Sequence, residues 1–157
     1  GVINGQDLLP YADEHCGLGT YAHNGCGPIA IYNMMQLVGK PSSLKSISSE
    51  LFWNNNMIAF GLLGLNPWSM ADYFTAHGVE YVGSSSVYQL TSDISEGSII
   101  VFTAMYSGGW HAMTALYTNN EYMVFNRYDN VSTHRSYSSL SDVYSEGWLV
   151  YGYRIYP

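Results

Sequence analysis

A chain of 157 residues is long enough to bury a core without metal or disulfide staples, and its size fits one domain spanning 1–157. Its 5 Lys and Arg stand against 12 Asp and Glu, a net charge of −7. It therefore lacks the cationic side chains that nucleic acid or an anionic membrane surface demands, and no run of about 18 apolar residues suggests a membrane span.

The first 25 residues carry scattered Gly, Asp and His with little periodicity, and predict an irregular segment. Asn24 to Val38 reads as a cysteine at the first turn of a buried helix. Gly25 and Gly27 permit a tight backbone entry, and Pro28 suits a first-turn position that needs no amide donor. From Ile29 to Val38 nearly every residue is apolar except Asn33 and Gln36, and Gly39 followed by Pro41 ends the helix. Ser42 or Ser43 caps a second helix, in which Leu44, Ile47, Leu51 and Phe52 recur at helical spacing. Trp53 to Gly64 reads as a loop. Asn66-Pro67 opens a third helix that Gly78 stops.

Beyond Gly78 the period changes. Val79 to Gly83 predicts a short strand, Leu90 to Glu96 a helical turn, and Ser98 to Tyr106 a strong strand of branched and aromatic residues. Trp110 to Thr118 and Glu121 to Tyr128 predict a hairpin across Asn119-Asn120, a pair suited to positive φ. Ser139 to Glu146 reads as a brief helix and Trp148 to Tyr156 as a closing strand. Helices first and an antiparallel sheet second make an α+β protein.

The hairpin makes a geometric test possible. A two-residue turn sets Thr118 opposite Glu121, His111 opposite Tyr128 and Met113 opposite Asn126. His111 and Asn126 then share a face as diagonal neighbours, about 7–8 Å apart at the backbone, while Asp129 points away. A three-residue turn would reverse that preference and favour Asp129. A thiol at a helix start feels the positive end of the dipole, which favours thiolate. A helix-start Cys26, a strand His111 and an Asn126 on the next strand are the parts of a thiol acyl-transfer site. The imidazole takes the thiol proton, the amide orients the ring, and the Cys26 backbone amide with one further donor holds the oxyanion.

Asn24-Gly25-Cys26-Gly27-Pro28-Ile29-Ala30, followed by a helix that Gly39 ends, resembles the active-site block of papain-like cysteine peptidases. Within them it is most similar to the branch of bacteriocin-leader peptidases and their stand-alone bacterial relatives. Gly108-Gly109-Trp110-His111-Ala112-Met113 resembles the histidine strand of that branch, and Val124-Phe125-Asn126-Arg127-Tyr128 the strand that ends in its Asn or Asp. The resemblance implies a papain-like fold with helices packed on an antiparallel sheet, Cys26 as nucleophile, His111 as base and acid, and Asn126 as orienting residue. It also implies a cysteine peptidase acting on a peptide or protein substrate as a monomer, with no cofactor and no metal. Such enzymes carry a Gln upstream of the Cys to complete the oxyanion hole. Thr20 holds that position here, Asn24 is the nearest side-chain amide, and Gln6 lies too far along the chain to place. Losing one donor costs on the order of 10²–10³ in rate.

Other readings compete at each position. The same thiol serves an acyltransferase, deamidase or isopeptidase, and Thr20 in place of Gln also fits an inactive binding module. Cys16 and Cys26 also suit a disulfide, and His15, Cys16, His23 and Cys26 a zinc cluster, although adjacent His15-Cys16 fits paired-ligand spacing poorly. His77 beside a helix stop reads as structural, and Met34 and Met35 as core. Trp53, Trp68 and Trp110 suit either a cleft or a core. The scarcity of positive charge argues against an acidic substrate. A surface rich in Tyr, Ser, Asn and Gly, and a start at Gly1 without Met, point to an extracellular or cell-surface location, with the cytoplasm left open.

Overall fold

The computed structural model of the chain describes residues 1–16, 19–54, 56 and 65–157, and of His23 the backbone alone. The loop expected over Trp53 to Gly64 falls largely outside these residues. The N-terminal segment, expected to be irregular, folds into small pieces. These are a 3-10 turn at Gln6–Leu8, a two-strand ribbon of β1 (His15–Cys16) and β2 (Gly19–Thr20), and a single helical turn α1 (Tyr21–Asn24). None of them has an apolar period long enough to read from sequence.

Helix α2 (Cys26–Leu37) starts and stops where its glycines and proline put it, and Gly39 has the positive φ of 75° that follows such a helix. Its entry is tight. A Cβ on Gly25 would sit 2.4 Å from the Tyr21 carbonyl oxygen, and one on Gly27 would sit 2.5 Å from Leu65 Cβ. Ile29, Ala30, Ile31, Met34 and Met35 are buried. Asn33, one of the two polar exceptions in the run, is fully buried as well. Its Oδ1 accepts from the Ile3 amide at 2.6 Å and its Nδ2 donates to the Ile3 carbonyl at 2.9 Å, so it holds the N-terminal segment as a neighbouring strand would. Helix α3 (Leu44–Trp53) is capped by the Ser43 side chain, which accepts from the Ser46 amide. Pro67–Ser69 forms a 3-10 turn capped by Asn66, and α4 (Met70–Ala76) follows it to Gly78.

Six strands complete the main sheet: β3 (Glu80–Ser84), β4 (Ile99–Tyr106), β5 (Gly109–Thr118), β6 (Glu121–Phe125), β7 (Arg135–Tyr137) and β8 (Trp148–Tyr156). Their spatial order is β3-β8-β4-β5-β6-β7, antiparallel throughout. Helix α5 (Val87–Thr91) begins earlier than expected because Ser86 caps it through the Gln89 amide, and α6 (Leu140–Val143) is a single turn capped by Ser139. Two cores flank the sheet. One joins α2, α3 and α4 to one face through Ile29, Phe74, Val101 and Tyr153. The other packs α5 and α6 on the opposite face through Leu90, Phe102, Met113 and Leu140. Strand β4 is buried on both sides, which explains its unbroken Ile-Ile-Val-Phe run. The layer of α5 and α6 is the smaller of the two. No described helix is long and apolar enough to cross a membrane.

Candidate active site

Helix α2 lies against β5, and Thr114 Oγ1 donates to the Ala30 carbonyl at 2.6 Å, a buried bond from the histidine strand into the cysteine helix. This brace sets Cys26, the first residue of α2, against His111 near the start of β5. The thiol and the imidazole form a side-chain hydrogen bond, and the Ala112 amide hydrogen-bonds the sulfur as well. Burial alone would push the Cys26 thiol up. The His111 hydrogen bond, the imidazolium charge and the Ala112 amide outweigh burial and the opposing charge of Asp129, and the thiol ends below its ordinary value. Burial likewise disfavours the charged His111, but the Cys26 partner, the Asn126 carbonyl and the Asp129 charge hold it above its ordinary value. Both shifts favour a thiolate–imidazolium pair.

The far side of the ring is held differently from expectation. The Asn119-Asn120 turn does have two residues, with φ of 54° and 62°, and Thr118 faces Glu121 as predicted. The ladder, however, ends at Thr114 opposite Phe125. Asn126 turns out of it with φ of 56°, a left-handed conformation that Asn tolerates better than most residues. In that conformation its backbone carbonyl, not its side chain, meets the ring: His111 Nε2 lies 2.6 Å from Asn126 O. A carbonyl only accepts, so Nε2 carries the hydrogen and Nδ1 is the ring atom left for the thiol.

The Asn126 side chain points to Gln6. Its Nδ2 donates to Gln6 Oε1 at 2.9 Å, its Oδ1 accepts from the Gln6 amide at 3.1 Å, and its own amide donates to Asn4 Oδ1 at 2.7 Å. Asp129, expected to face away, is brought to the site by the same turn. Its Oδ1 is 3.9 Å from His111 Nδ1, half-exposed to solvent. The alternation that placed it on the other face applies only while the strand continues.

Gln6, 120 residues from Asn126, was out of reach of sequence reasoning. It is fully buried, and its Nε2 donates to the carbonyls of Ala22 at 2.8 Å and Tyr21 at 3.3 Å, bracing the turn that delivers Cys26. Asn24 is buried at the end of α1, two residues before the nucleophile, and Thr20 is half-buried at the end of β2. Cys16 is a free buried thiol. It donates to the Asn24 carbonyl at 3.8 Å, and burial pushes it up to about 12. Cys26 is free too, which removes the disulfide reading. No three described His, Cys, Asp or Glu residues form a metal-holding group; the His23 side chain, part of the zinc reading, lies outside the description. His77 is structural as expected, ending α4 with Nε2 2.8 Å from Glu50 and its ring stacked on Tyr73.

A cleft of about 320 Å³ opens beside His111, lined by Gly108, Gly109, Trp110, Arg127, Tyr128 and Asp129 among others. Trp110 faces this cleft, and Trp68 leans edge-on against it at 6.3 Å. Trp53 belongs elsewhere, in a separate depression with Glu14 and Lys45.

Among solved structures, the chain is similar to the peptidase domain of Streptococcus ComA, described as a bi-functional ABC transporter involved in a quorum-sensing pathway. The TM-score is 0.59 at 16% identity, covering 84% of this chain and 90% of that one. The chain has the papain-like fold. The peptidase domain of Streptococcus mutans ComA in complex with a small-molecule inhibitor also matches, with a TM-score of 0.46 at 14% identity over 62% of this chain and 80% of that one. No protein-family model matches the sequence, and no curated protein does. In this papain-like frame, Cys26 and His111 come from the helical and the sheet half respectively.

Proposed function

We propose that this chain is a cysteine peptidase that hydrolyses a peptide or related amide bond through an acyl-thioester on Cys26, in the manner of the bacteriocin-leader-peptidase branch. The observation that carries the reading is the hydrogen-bonded Cys26–His111 pair at a helix start, with its proton-carrying Nε2 fixed by a carbonyl. Nδ1 takes the thiol proton, and the thiolate attacks the substrate carbonyl. The developing oxyanion is held by the Cys26 amide, with Asn24 as the side-chain donor and Thr20 behind it. The imidazolium then gives its Nδ1 proton to the departing amine. Water, deprotonated at the same nitrogen, resolves the thioester and returns the free thiol.

The test is a synthetic peptide pool incubated with the protein, followed by acid quench and intact-mass measurement. An acyl adduct on Cys26 together with new peptide termini is the expected result, and both vanish in Cys26→Ala. Peptide cleavage that survives Cys26→Ala at full rate overturns the assignment.

A further inference from the structure

Arg127 is the cleft residue that the proposed reaction leaves unused. Its residue is only 9% exposed, yet it lines the 320 Å³ cleft beside His111. The guanidinium carbon lies 4.5 Å from the Tyr106 ring centroid and 4.4 Å from that of Tyr128, and both rings line the same cleft. The cation is therefore sandwiched in the cleft wall. One of its nitrogens is occupied, since Nε donates to the Val143 carbonyl at 3.2 Å. Neither terminal nitrogen meets a described acceptor, and no described carboxylate forms an ion pair with it, although Glu146 and Asp129 line the same cleft.

The terminal nitrogens are open to the cleft, since among the described buried side-chain nitrogens and oxygens Arg154 Nε alone lacks a partner, and an anion entering the cleft can meet them there. Of the other cations, Lys45 pairs with Glu14, Lys40 and Arg154 donate to backbone carbonyls, and Arg135 lies over the Tyr128 ring at 5.5 Å. In a chain of net charge −7, Arg127 thus puts a positive charge in the wall of the cleft beside His111. A guanidinium with Nε anchored presents its two remaining nitrogens as a fork, the geometry that matches a carboxylate. It also follows directly on Asn126, whose carbonyl holds the imidazole, so whatever it binds lies in the cleft beside His111.

We propose that Arg127 recognises a carboxylate of the bound peptide in the cleft beside His111, as the specificity-determining residue of this site. The inference rests on the peptidase reading for its substrate but not for its chemistry. It reverses, locally, the argument from overall charge against acidic substrates. The carboxylate comes from an Asp or Glu side chain or from a chain terminus, and the experiment separates the two.

In isotope-labelled protein, the Arg127 Nε–H resonance is followed while three probes are added. N-acetylglycine carries a terminal carboxylate, N-acetylglutamic acid α-amide a side-chain carboxylate, and N-acetylglutaminamide neither. A saturable shift with one or both carboxylates, and none with the amide, is the expected result. Equal response to all three probes, or none, overturns the proposal. In parallel, cleavage of paired peptides carrying a carboxylate or the matching carboxamide is compared. The wild-type protein should favour the carboxylate by roughly ten- to hundredfold, and the ratio should fall toward one in Arg127→Met. Arg127→Lys, which keeps charge without the fork, should retain part of it and covers the case where the methionine variant fails to fold. A purely structural arginine would lower both rates together and leave the ratio unchanged. Binding of carboxylates without any cleavage sinks the peptidase reading alone, and cleavage without preference sinks this one alone.

Discussion

At Cys26 and His111 the pairing of shifts has a sign that can be checked in solution. A lowered thiol means that the anion persists at pH values where a free cysteine, near 8.5, is mostly protonated; a raised imidazole means that the cation persists above about 6.5. The ion pair therefore fills the window between. Peptidase activity should be bell-shaped, its acid limb set by protonation of Cys26 and its alkaline limb by deprotonation of His111. Alkylation by iodoacetamide reads the first limb cleanly, because Cys16 at about 12 stays protonated and buried. The rate should inflect below the ordinary thiol range. In His111→Gln the hydrogen bond and charge of the imidazole are gone while burial and the Ala112 amide remain, so the inflection should move up. An inflection at the free-thiol value in the wild-type protein would contradict the pair. The residue identities at this site were legible because Gly-Cys-Gly-Pro and Gly-Gly-Trp-His are local patterns. Which atom holds the imidazole was not legible, since that depends on a single backbone dihedral.

Whole elements explain where the sequence reading stopped working. The long segments came through well: α2, α3, β4, β5 and β8 each carry a sustained period with a cap or turn at the ends. The short ones failed or shifted: β1, β2, β7 and α1 have two to four residues each, too few to show any period. The end of β6 had the most consequence, because extending it to Tyr128 by alternation predicted a side-chain contact that the turn at Asn126 replaces with a carbonyl. That difference is testable. Asn126→Gly preserves the positive φ and the carbonyl but deletes the two side-chain bonds to Gln6. It should cost about 1–3 kcal/mol of stability in a denaturant titration. Its kcat/KM should fall far less than the roughly 10⁴-fold loss that follows when a side chain in the orienting role is replaced. A loss of that larger size in a folded variant would return the orienting role to the amide.

Seen as a whole molecule, the site is closed by the first residues of the chain rather than by either half alone. Ile3 binds Asn33 in the cysteine helix, Asn4 and Gln6 bind Asn126, and the Asp7 amide donates to the Asp129 carbonyl at 2.8 Å. Gln6 touches both sides at once, through Ala22 ahead of the nucleophile and Asn126 behind the imidazole. The arm therefore couples the placement of the thiol to the placement of the ring, and loosening it should do more than reduce stability. Gln6→Ala removes the side-chain bonds to Tyr21, Ala22 and Asn126 and leaves Asn126 Nδ2 buried without its acceptor, while the backbone amide at position 6 still donates to Asn126 Oδ1. The expected cost is about 1–3 kcal/mol. With the carbonyl of Asn126 less firmly held, His111 should support the thiolate less well, so the alkylation inflection of Cys26 should rise toward the free-thiol value in protein that is still folded by circular dichroism. Asn33→Leu is the control, because it frees the arm at Ile3 but leaves the Gln6–Asn126 pair in place. It should lower stability by a similar amount while the inflection stays where it is. If both variants leave the inflection unmoved, the arm stabilises the fold without setting the state of the thiol.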